Sequence, residues 1–174
     1  RPPWADHARG GGILDRSSKY TSYQAKNGRN AGFDQRKSTV FTLEGVSQYV
    51  TKEAFSSTIK EVATLTQKAR SIFFVSYVSE QLDKNPEACF GNGYPNAEIR
   101  AKLIMYGSAK VGEPWISFYS AEEIEGVLSQ SGYSIVENVT LNDLNSRYFT
   151  PVGRTISENQ LFQLEHFVIA KSKK

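Results

Sequence analysis

The chain contains 174 residues, a length typical of one domain, and 39% of its residues are hydrophobic, which is enough for a packed core. Its formal net charge of +3 is too small to indicate nucleic-acid binding. Residues 1–37 carry eight basic and three acidic side chains, so the positive charge belongs to the amino-terminal end. With one cysteine and two histidines, the sequence excludes an intrachain disulfide and a zinc site built from cysteine and histidine alone.

Two features of the sequence bear on its compartment. No apolar run approaches the roughly 20 residues that a membrane-spanning helix needs, and the first residues contain no apolar signal core. A single cysteine also suits a reducing compartment. We therefore expect a soluble, cytoplasmic protein with no membrane partner.

The first thirty residues differ in composition from the rest of the chain. Glycine, serine and asparagine are frequent there, for example in Gly10-Gly11-Gly12 and Asn27-Gly28, and apolar residues are sparse and aperiodic. We expect residues 1–30 to form an irregular basic arm and residues 31–174 to form the folded domain.

The folded domain alternates between strands and helices. Short β-branched or aromatic runs predict four strands, and apolar residues spaced by three and four predict three helices, with Thr51 and Ser120 as N-caps. Alternation predicts an α/β sheet, and two final strands without a strong helix between them indicate that the last strand is antiparallel. The predicted strands are 38–42, 71–78, 134–137 and 166–170, and the predicted helices are 51–67, 97–106 and 120–132.

Two of these elements carry more specific expectations. Ser71–Val78 is almost entirely apolar, which predicts a strand that is covered on both of its faces. In the predicted helix 97–106, we expect Ile99, Leu103 and Tyr106 to lie on one side.

A candidate site follows the first predicted strand, in the segment Leu43-Glu44-Gly45-Val46-Ser47-Gln48-Tyr49-Val50. Ligands of open α/β sheets bind beyond the carboxyl ends of the strands, and this segment leaves its strand at that edge. A glycine after Glu44 would let the backbone approach a ligand closely while the carboxylate faces the crevice. The alternative, that Glu44 caps a turn and Tyr49 packs in the core, fits these residues equally well.

Three other residues are candidates with a competing structural interpretation. The turn Gly112-Glu113-Pro114-Trp115 would fix Trp115 either in an aromatic wall or, as is more common, in the core. The planar guanidinium of Arg147 is suited to donate two hydrogen bonds to a carboxylate, although an arginine more commonly forms a surface ion pair. His166 is either a base or a packing histidine, and the packing role is favoured.

Nucleotide-binding loops are absent from the sequence. It contains neither G-x-G-x-x-G nor G-x-x-x-x-G-K-[ST], and its glycine clusters, Gly10-Gly11-Gly12 and Gly91-Asn92-Gly93, do not connect a predicted strand to a helix. We therefore interpret both clusters as flexible turns.

Several ordered blocks between residues 31 and 171 resemble the leucine carboxyl methyltransferase-like family of class I S-adenosylmethionine-dependent methyltransferases. The resemblance rests on residues that extend from the first predicted strand to the last. They are Ala31-Gly32-Phe33-Asp34, Thr39 to Val50, Gly112-Glu113-Pro114-Trp115, Ser120-Ala121-Glu122-Glu123-Ile124, Gly132-Tyr133, Asn145, Arg147, Tyr148 and Glu165 to Ala170.

This resemblance implies a Rossmann-like α/β sheet whose last strand is antiparallel, and methyl transfer from S-adenosyl-L-methionine to a carboxylate or hydroxyl oxygen. The acceptor would be a small molecule or a protein carboxylate, and no metal is implied. The residues implied are Glu44 and Gly45 at the cofactor, Tyr49 and Arg147 as catalytic residues, and Trp115 and Tyr148 at the substrate.

The chain departs from that family in one respect. The family's amino-terminal half supplies the first strands and the glycine-rich cofactor loop, and residues 1–30 do not resemble it. We therefore expect a methyltransferase domain truncated at its amino-terminal half. The alternative is a non-catalytic interaction module that pairs through an exposed sheet edge, including self-association, or through the basic arm.

Overall fold

The computed structural model describes residues 33–90, 94–157 and 162–173, so the arm expected at residues 1–30 lies outside the described residues. The strands of its sheet are β1 (Thr39–Leu43), β2 (Ser71–Val78), β3 (Tyr133–Thr140) and β4 (Glu165–Ser172). Their spatial order is β1-β2-β4-β3. β1 and β2 are parallel, whereas β4 is antiparallel to β2 and to β3. The expected antiparallel last strand is therefore confirmed.

Two helices pack against one face of this sheet, which we call the inner face. They are α1 (Lys52–Leu65) and α4 (Ala121–Gln130). Both begin at the predicted caps: the backbone N–H of Ala54 donates to Thr51 Oγ1 at 3.2 Å, and Ser120 and Glu123 form a capping box. The buried core between helices and sheet contains Phe55, Ile59, Phe73, Val75, Tyr77, Tyr119, Ile124, Leu128, Tyr133, Val168 and Ala170.

A second hydrophobic cluster lies beyond the carboxyl end of β2. It includes Val78 and residues from α2 (Gln81–Lys84) and α3 (Ala97–Lys110). α3 presents the small residues Ala97 and Ala101 to this cluster. Ile104 of α3 is partly buried against the same cluster. The side of the helix that carries Ile99, Leu103 and Tyr106 is exposed, to 57% for Ile99, 61% for Leu103 and 58% for Tyr106.

The opposite face of the sheet, which we call the outer face, is only partly covered. Near the carboxyl ends of the strands, Ser76 and Val78 are buried. Towards the other end, Val40 is 63% exposed and Ile72 is 45% exposed. Within the described residues, the prediction that β2 is covered on both faces is therefore wrong for its first half.

After β3, a short helix α5 (Leu141–Leu144) continues into irregular helical turns that end at Val152. Thr140 caps α5 through a capping box with Asp143, whose carboxylate accepts from the Thr140 backbone N–H at 2.8 Å. This segment carries Arg147 and Tyr148 and lies at the carboxyl end of β3.

Two matched leucine substitutions test the assignment of buried and exposed positions. Replacing Leu128, which is 1% exposed, by alanine should lower the free energy of unfolding by about 2–5 kcal/mol because it leaves a cavity in the core. Replacing the exposed Leu103 by alanine should change it by no more than about 0.5 kcal/mol. Urea unfolding followed by circular dichroism measures both, and equal losses would contradict the packing of α3.

Candidate functional site

The loop that follows β1 and the segment that precedes α4 are joined at the carboxyl edge of the sheet. The Gln48 carbonyl accepts a hydrogen bond from the backbone N–H of Ile116 at 2.7 Å. The Ser117 hydroxyl donates to the Val50 carbonyl at 2.7 Å, and Ser117 is buried. These bonds fix the two segments side by side, although 67 positions separate Val50 from Ser117 in the chain.

Glu44 and Gly45 lie where β1 ends. Gly45 has a φ of 65°, a left-handed conformation that glycine adopts without strain, and its backbone N–H donates to Ser76 Oγ at 2.8 Å. Apart from Gly45 and its two chain neighbours, no atom of the described residues lies within 4 Å of the position that a Gly45 Cβ would occupy. Glu44 is exposed and forms no ion pair or hydrogen bond with any described residue. This edge of the sheet therefore carries the Glu44 carboxylate, which has no partner among the described residues, next to the open position at Gly45.

Tyr49 and Trp115 are neighbours at the same edge. Their ring centroids are 6.3 Å apart and their planes meet at 87°, an edge-to-face contact. Both side chains are half-buried, so neither residue is a fully buried core residue or a fully exposed surface residue. The indole Nε1 of Trp115 is buried without a hydrogen-bond partner in the described part of the chain. Such a donor costs about 1–3 kcal/mol unless an acceptor reaches it.

Arg147 and Tyr148 lie at the other end of the sheet edge, after α5. Arg147 Nη1 donates to Glu137 Oε2 at 2.8 Å, and this bond raises the pKa of the guanidinium. Tyr148 is 64% exposed. No contact between described residues links either side chain to Tyr49 or Trp115. The six predicted site residues thus form two groups, four of them at β1 and two beyond β3.

A hydrogen-bonded cluster of three side chains was not predicted. The Tyr77 hydroxyl lies 3.1 Å from His166 Nδ1, and Asn138 Nδ2 donates to the Tyr77 oxygen at 3.1 Å. The three residues come from β2, β4 and β3 and lie near the carboxyl edge. Tyr77 is 1% exposed, whereas His166 is half-buried. His166 therefore has the hydrogen-bonded, packed environment that the sequence favoured, together with a polar partner that no local signal indicated.

Burial controls the protonation of this cluster. It lowers the pKa of His166 below the usual 6.5, and a hydrogen bond with the backbone of Gln163 and the charge of Asp143 oppose that shift only partly. Burial also raises the pKa of Tyr77. The neighbouring Tyr119, which packs on Tyr77, has its pKa raised to about 12 by burial. The imidazole and both phenols are therefore neutral near pH 7.

Other candidate features lie away from this edge. A cavity of about 450 Å³ lies at the opposite end of the sheet, between the last turns of α1 and α4, and none of the predicted site residues lines it. Among the described residues, no three His, Cys, Asp or Glu side chains are grouped as a metal site would require. No helix in the same part of the chain is both long and apolar enough to cross a membrane.

Replacing Gly45 by alanine tests the left-handed turn. The substitution should lower the free energy of unfolding by about 1–2 kcal/mol, because a Cβ disfavours this backbone conformation. Gly126 is the matched control: it lies inside α4 with open space around it, so alanine there should stabilise the protein by about 0.5–1 kcal/mol. Chemical unfolding of both variants provides the comparison, and a neutral Gly45→Ala would argue against the turn.

The His166 cluster predicts a pH dependence of stability. The folded state lowers the pKa of His166, so the unfolded chain binds more protons just below pH 6.5, and stability should fall as the pH decreases from 7.5 to 5.5. Carboxylates titrate below this window. His166→Gln should flatten this dependence, as urea unfolding at several pH values would show. An unchanged pH dependence in His166→Gln would exclude His166 as its source.

Comparison with known proteins shows similarity to methyltransferases. The chain is 32% identical over 142 residues to YktD of Bacillus subtilis (strain 168), whose name assigns it to the S-adenosyl-L-methionine-dependent methyltransferases. The match covers 82% of this chain but 42% of YktD, so the chain spans less than half the length of this relative. No family model matches the sequence, and the leucine carboxyl methyltransferase-like family in particular is not confirmed.

Solved structures share the fold at low sequence identity. A DUF574 family protein from Streptomyces avermitilis MA-4680 superposes with a TM-score of 0.56 at 14% identity, over 86% of this chain and 52% of that one. The mycolic acid cyclopropane synthase CmaA1, solved with SAH and CTAB, gives a TM-score of 0.51 at 10% identity, over 83% of this chain and 57% of that one. The described residues therefore have a Rossmann-like α/β fold.

Proposed function

We propose that this chain is part of an S-adenosylmethionine-dependent methyltransferase and contributes the β1 side of its cofactor and acceptor site. The observation that carries the proposal is the free carboxylate of Glu44 beside the left-handed Gly45, at the carboxyl edge of a Rossmann-like sheet. The similarity to YktD supports this choice of cofactor over other ligands of such sheets.

Glu44 and Gly45 fit this cofactor chemically. S-adenosylmethionine supplies a methyl group on a positively charged sulfonium and also carries an ammonium group. The Glu44 carboxylate is complementary in charge to both groups and has no competing ion pair within the described residues. Gly45 leaves space for a close approach to the backbone, and Ser76 holds that backbone in place.

Tyr49 and Trp115 are suited to bind the methyl acceptor. Their edge-to-face contact forms an apolar corner at the same edge of the sheet as Glu44, where a flat or aliphatic acceptor would exclude water from the transfer. The form of the reaction that we propose is transfer to an oxygen of a carboxylate or a hydroxyl group.

Methyl transfer is an in-line displacement, so the main task of these residues is positioning. In this proposal Glu44 and Gly45 orient the donor, and the Tyr49 hydroxyl orients the acceptor oxygen toward it. Arg147 would anchor an acceptor carboxylate from the β3 side of the sheet edge. One of its nitrogens bonds Glu137, and its other donors remain available because the side chain is half-exposed. Tyr148 would contact the same part of the acceptor.

Isothermal titration of S-adenosylmethionine into the purified chain tests the proposal. We expect measurable binding, and Glu44→Gln should weaken it by at least about tenfold, because a hydrogen bond to a charged group contributes roughly 1.5–3 kcal/mol. Glu113→Gln is the matched control: this carboxylate is also exposed but lies on the neighbouring loop, so its loss should leave the affinity unchanged. Equal affinities of both variants would contradict the role of Glu44, and no heat with the wild-type chain would contradict the proposal.

A further inference from the structure

Basic side chains collect at the amino-terminal ends of β1 and β2, opposite the edge that carries Glu44. The backbone N–H of Thr39 at the start of β1 donates to the Arg70 carbonyl at 3.3 Å, so the segments that precede the two strands meet. The last part of the antiparallel β4 reaches the same end, where Lys171 pairs with Ile72. We call this region the basic end. Its exposed basic residues that form no ion pair with a described residue are Lys37, Lys60, Lys68, Arg70, Lys171 and Lys173.

The cavity of about 450 Å³ between the last turns of α1 and α4 opens at the basic end. Lys60 lines it from α1, Lys173 lines it from the residues after β4, and no carboxylate lines it. One wall is fixed, because the buried Tyr133 hydroxyl lies 3.3 Å from the hydroxyl oxygens of both Thr66 and Ser71. Small-molecule sites commonly have volumes of roughly 300–1,000 Å³. The cavity therefore has the size of such a site and carries only positive charge.

The carboxyl ends of α1 and α4 border this cavity, and free carbonyl groups there would repel an anion. These carbonyls are already hydrogen-bonded. The Thr66 N–H donates to two carbonyls in the last turn of α1, and the N–H groups of Ser131 and Gly132 donate to the last carbonyls of α4. Lys173 Nζ also donates to Ser129 Oγ at 2.9 Å, which holds its ammonium group beside the end of α4. The helix ends are therefore neutralised, and the lysines determine the charge of the cavity.

Hydrogen-bond donors without partners complete the cavity. Lys60 Nζ and the side-chain amides of Gln67 and Gln130 line it and form no hydrogen bond with a described residue. Two ammonium groups match a phosphate monoester, which carries a charge of about −1.5 to −2 at pH 7, whereas a single carboxylate would leave one of them unmatched. A bare phosphate ion would leave most of the cavity empty. The amides are suited to a polar group that is attached to the phosphate.

We propose that the cavity at the basic end binds a small polar molecule that carries a phosphate monoester, with Lys60 and Lys173 as the groups that contact the phosphate. Ligands of open α/β sheets occupy the carboxyl edge, where Glu44 lies, so this is a second site at the opposite end of the sheet. Phosphate groups of a nucleic acid have the same chemistry and are the other source of such a ligand. The positive potential that attracts the phosphate is extended by Lys37, Lys68, Arg70 and Lys171.

Calorimetric titration of ribose 5-phosphate into the 174-residue chain tests the site, and ribose, which lacks the phosphate, is the matched probe. We expect binding of ribose 5-phosphate and none of ribose. Lys60→Gln and, separately, Lys173→Gln should weaken binding at least about fivefold, because each removes one charged donor. Both lysines are exposed, so the variants should keep the wild-type circular dichroism spectrum.

Lys110→Gln is the matched control. Lys110 is exposed, lies in the last turn of α3 and forms no ion pair with a described residue, so its loss lowers the net charge by the same amount. We expect it to leave the affinity unchanged. Amide NMR spectra locate the site: ribose 5-phosphate should shift the signals of Gly132 and of the side-chain amides of Gln67 and Gln130, and should leave Gly45 unchanged.

The second source of phosphate is tested with a single-stranded oligonucleotide of about twelve nucleotides. Binding that is at least about tenfold tighter than that of ribose 5-phosphate and is weakened by Lys60→Gln but not by Lys110→Gln would support the phosphate site and identify nucleic acid as the source. Equal weakening by Lys110→Gln would overturn the proposal, because any lost positive charge would then have the same effect.

Three further results would overturn the proposal. They are equal affinities for ribose and ribose 5-phosphate, shifts that are confined to the edge around Gly45, and the absence of heat with both phosphate probes. No S-adenosylmethionine is added in these experiments, and none of the variants changes a residue of the carboxyl edge. Failure here is therefore separate from failure of the methyltransferase proposal.

Discussion

The sheet depends on one strand, β4, because β2 and β3 are not adjacent and meet only through it. β4 pairs with both neighbours in antiparallel register, and its central residues Val168 and Ala170 are fully buried. The same strand carries His166 to the carboxyl edge and Phe167 and Ile169 to the outer face. One element therefore shapes both the edge that carries the candidate site and the face that the described residues cover only in part.

Much of this fold follows from local sequence signals. Thr51 and Ser120 cap their helices with their own side chains, and the polar partner of each cap lies three residues further on. The antiparallel direction of β4 could be predicted because no strong helix precedes it. The packing of α3 could not, because the periodicity of Ile99 and Leu103 indicates an apolar side but does not show which side has a neighbour. That neighbour, the second cluster, contacts Ala97, Ala101 and the larger Ile104 of α3.

The candidate site also contains both residues that the sequence predicts and residues that it does not. Glu44 and Gly45 were predicted because they directly follow a strand, and the left-handed turn at Gly45 agrees with that local reasoning. Tyr77 and His166 are 89 residues apart, and their hydrogen bond exists only because β2 and β4 pair in this register. A single sequence shows each of these residues but not their proximity. The polar cluster at the edge therefore could not be predicted from the sequence alone.

Unsatisfied groups are concentrated on the β1 side of the sheet. At the β3 side, Arg147 bonds Glu137, and the Asn145 amide exchanges two hydrogen bonds of 2.9 Å with the backbone of Ile156. At the β1 side, the Glu44 carboxylate and the free edge of β1 lack partners among the described residues. The carboxylate lies at the carboxyl end of β1, whereas the exposed Val40 lies near its amino-terminal end, so a ligand at Glu44 and a contact with the outer face would involve two separate surfaces of the same strand.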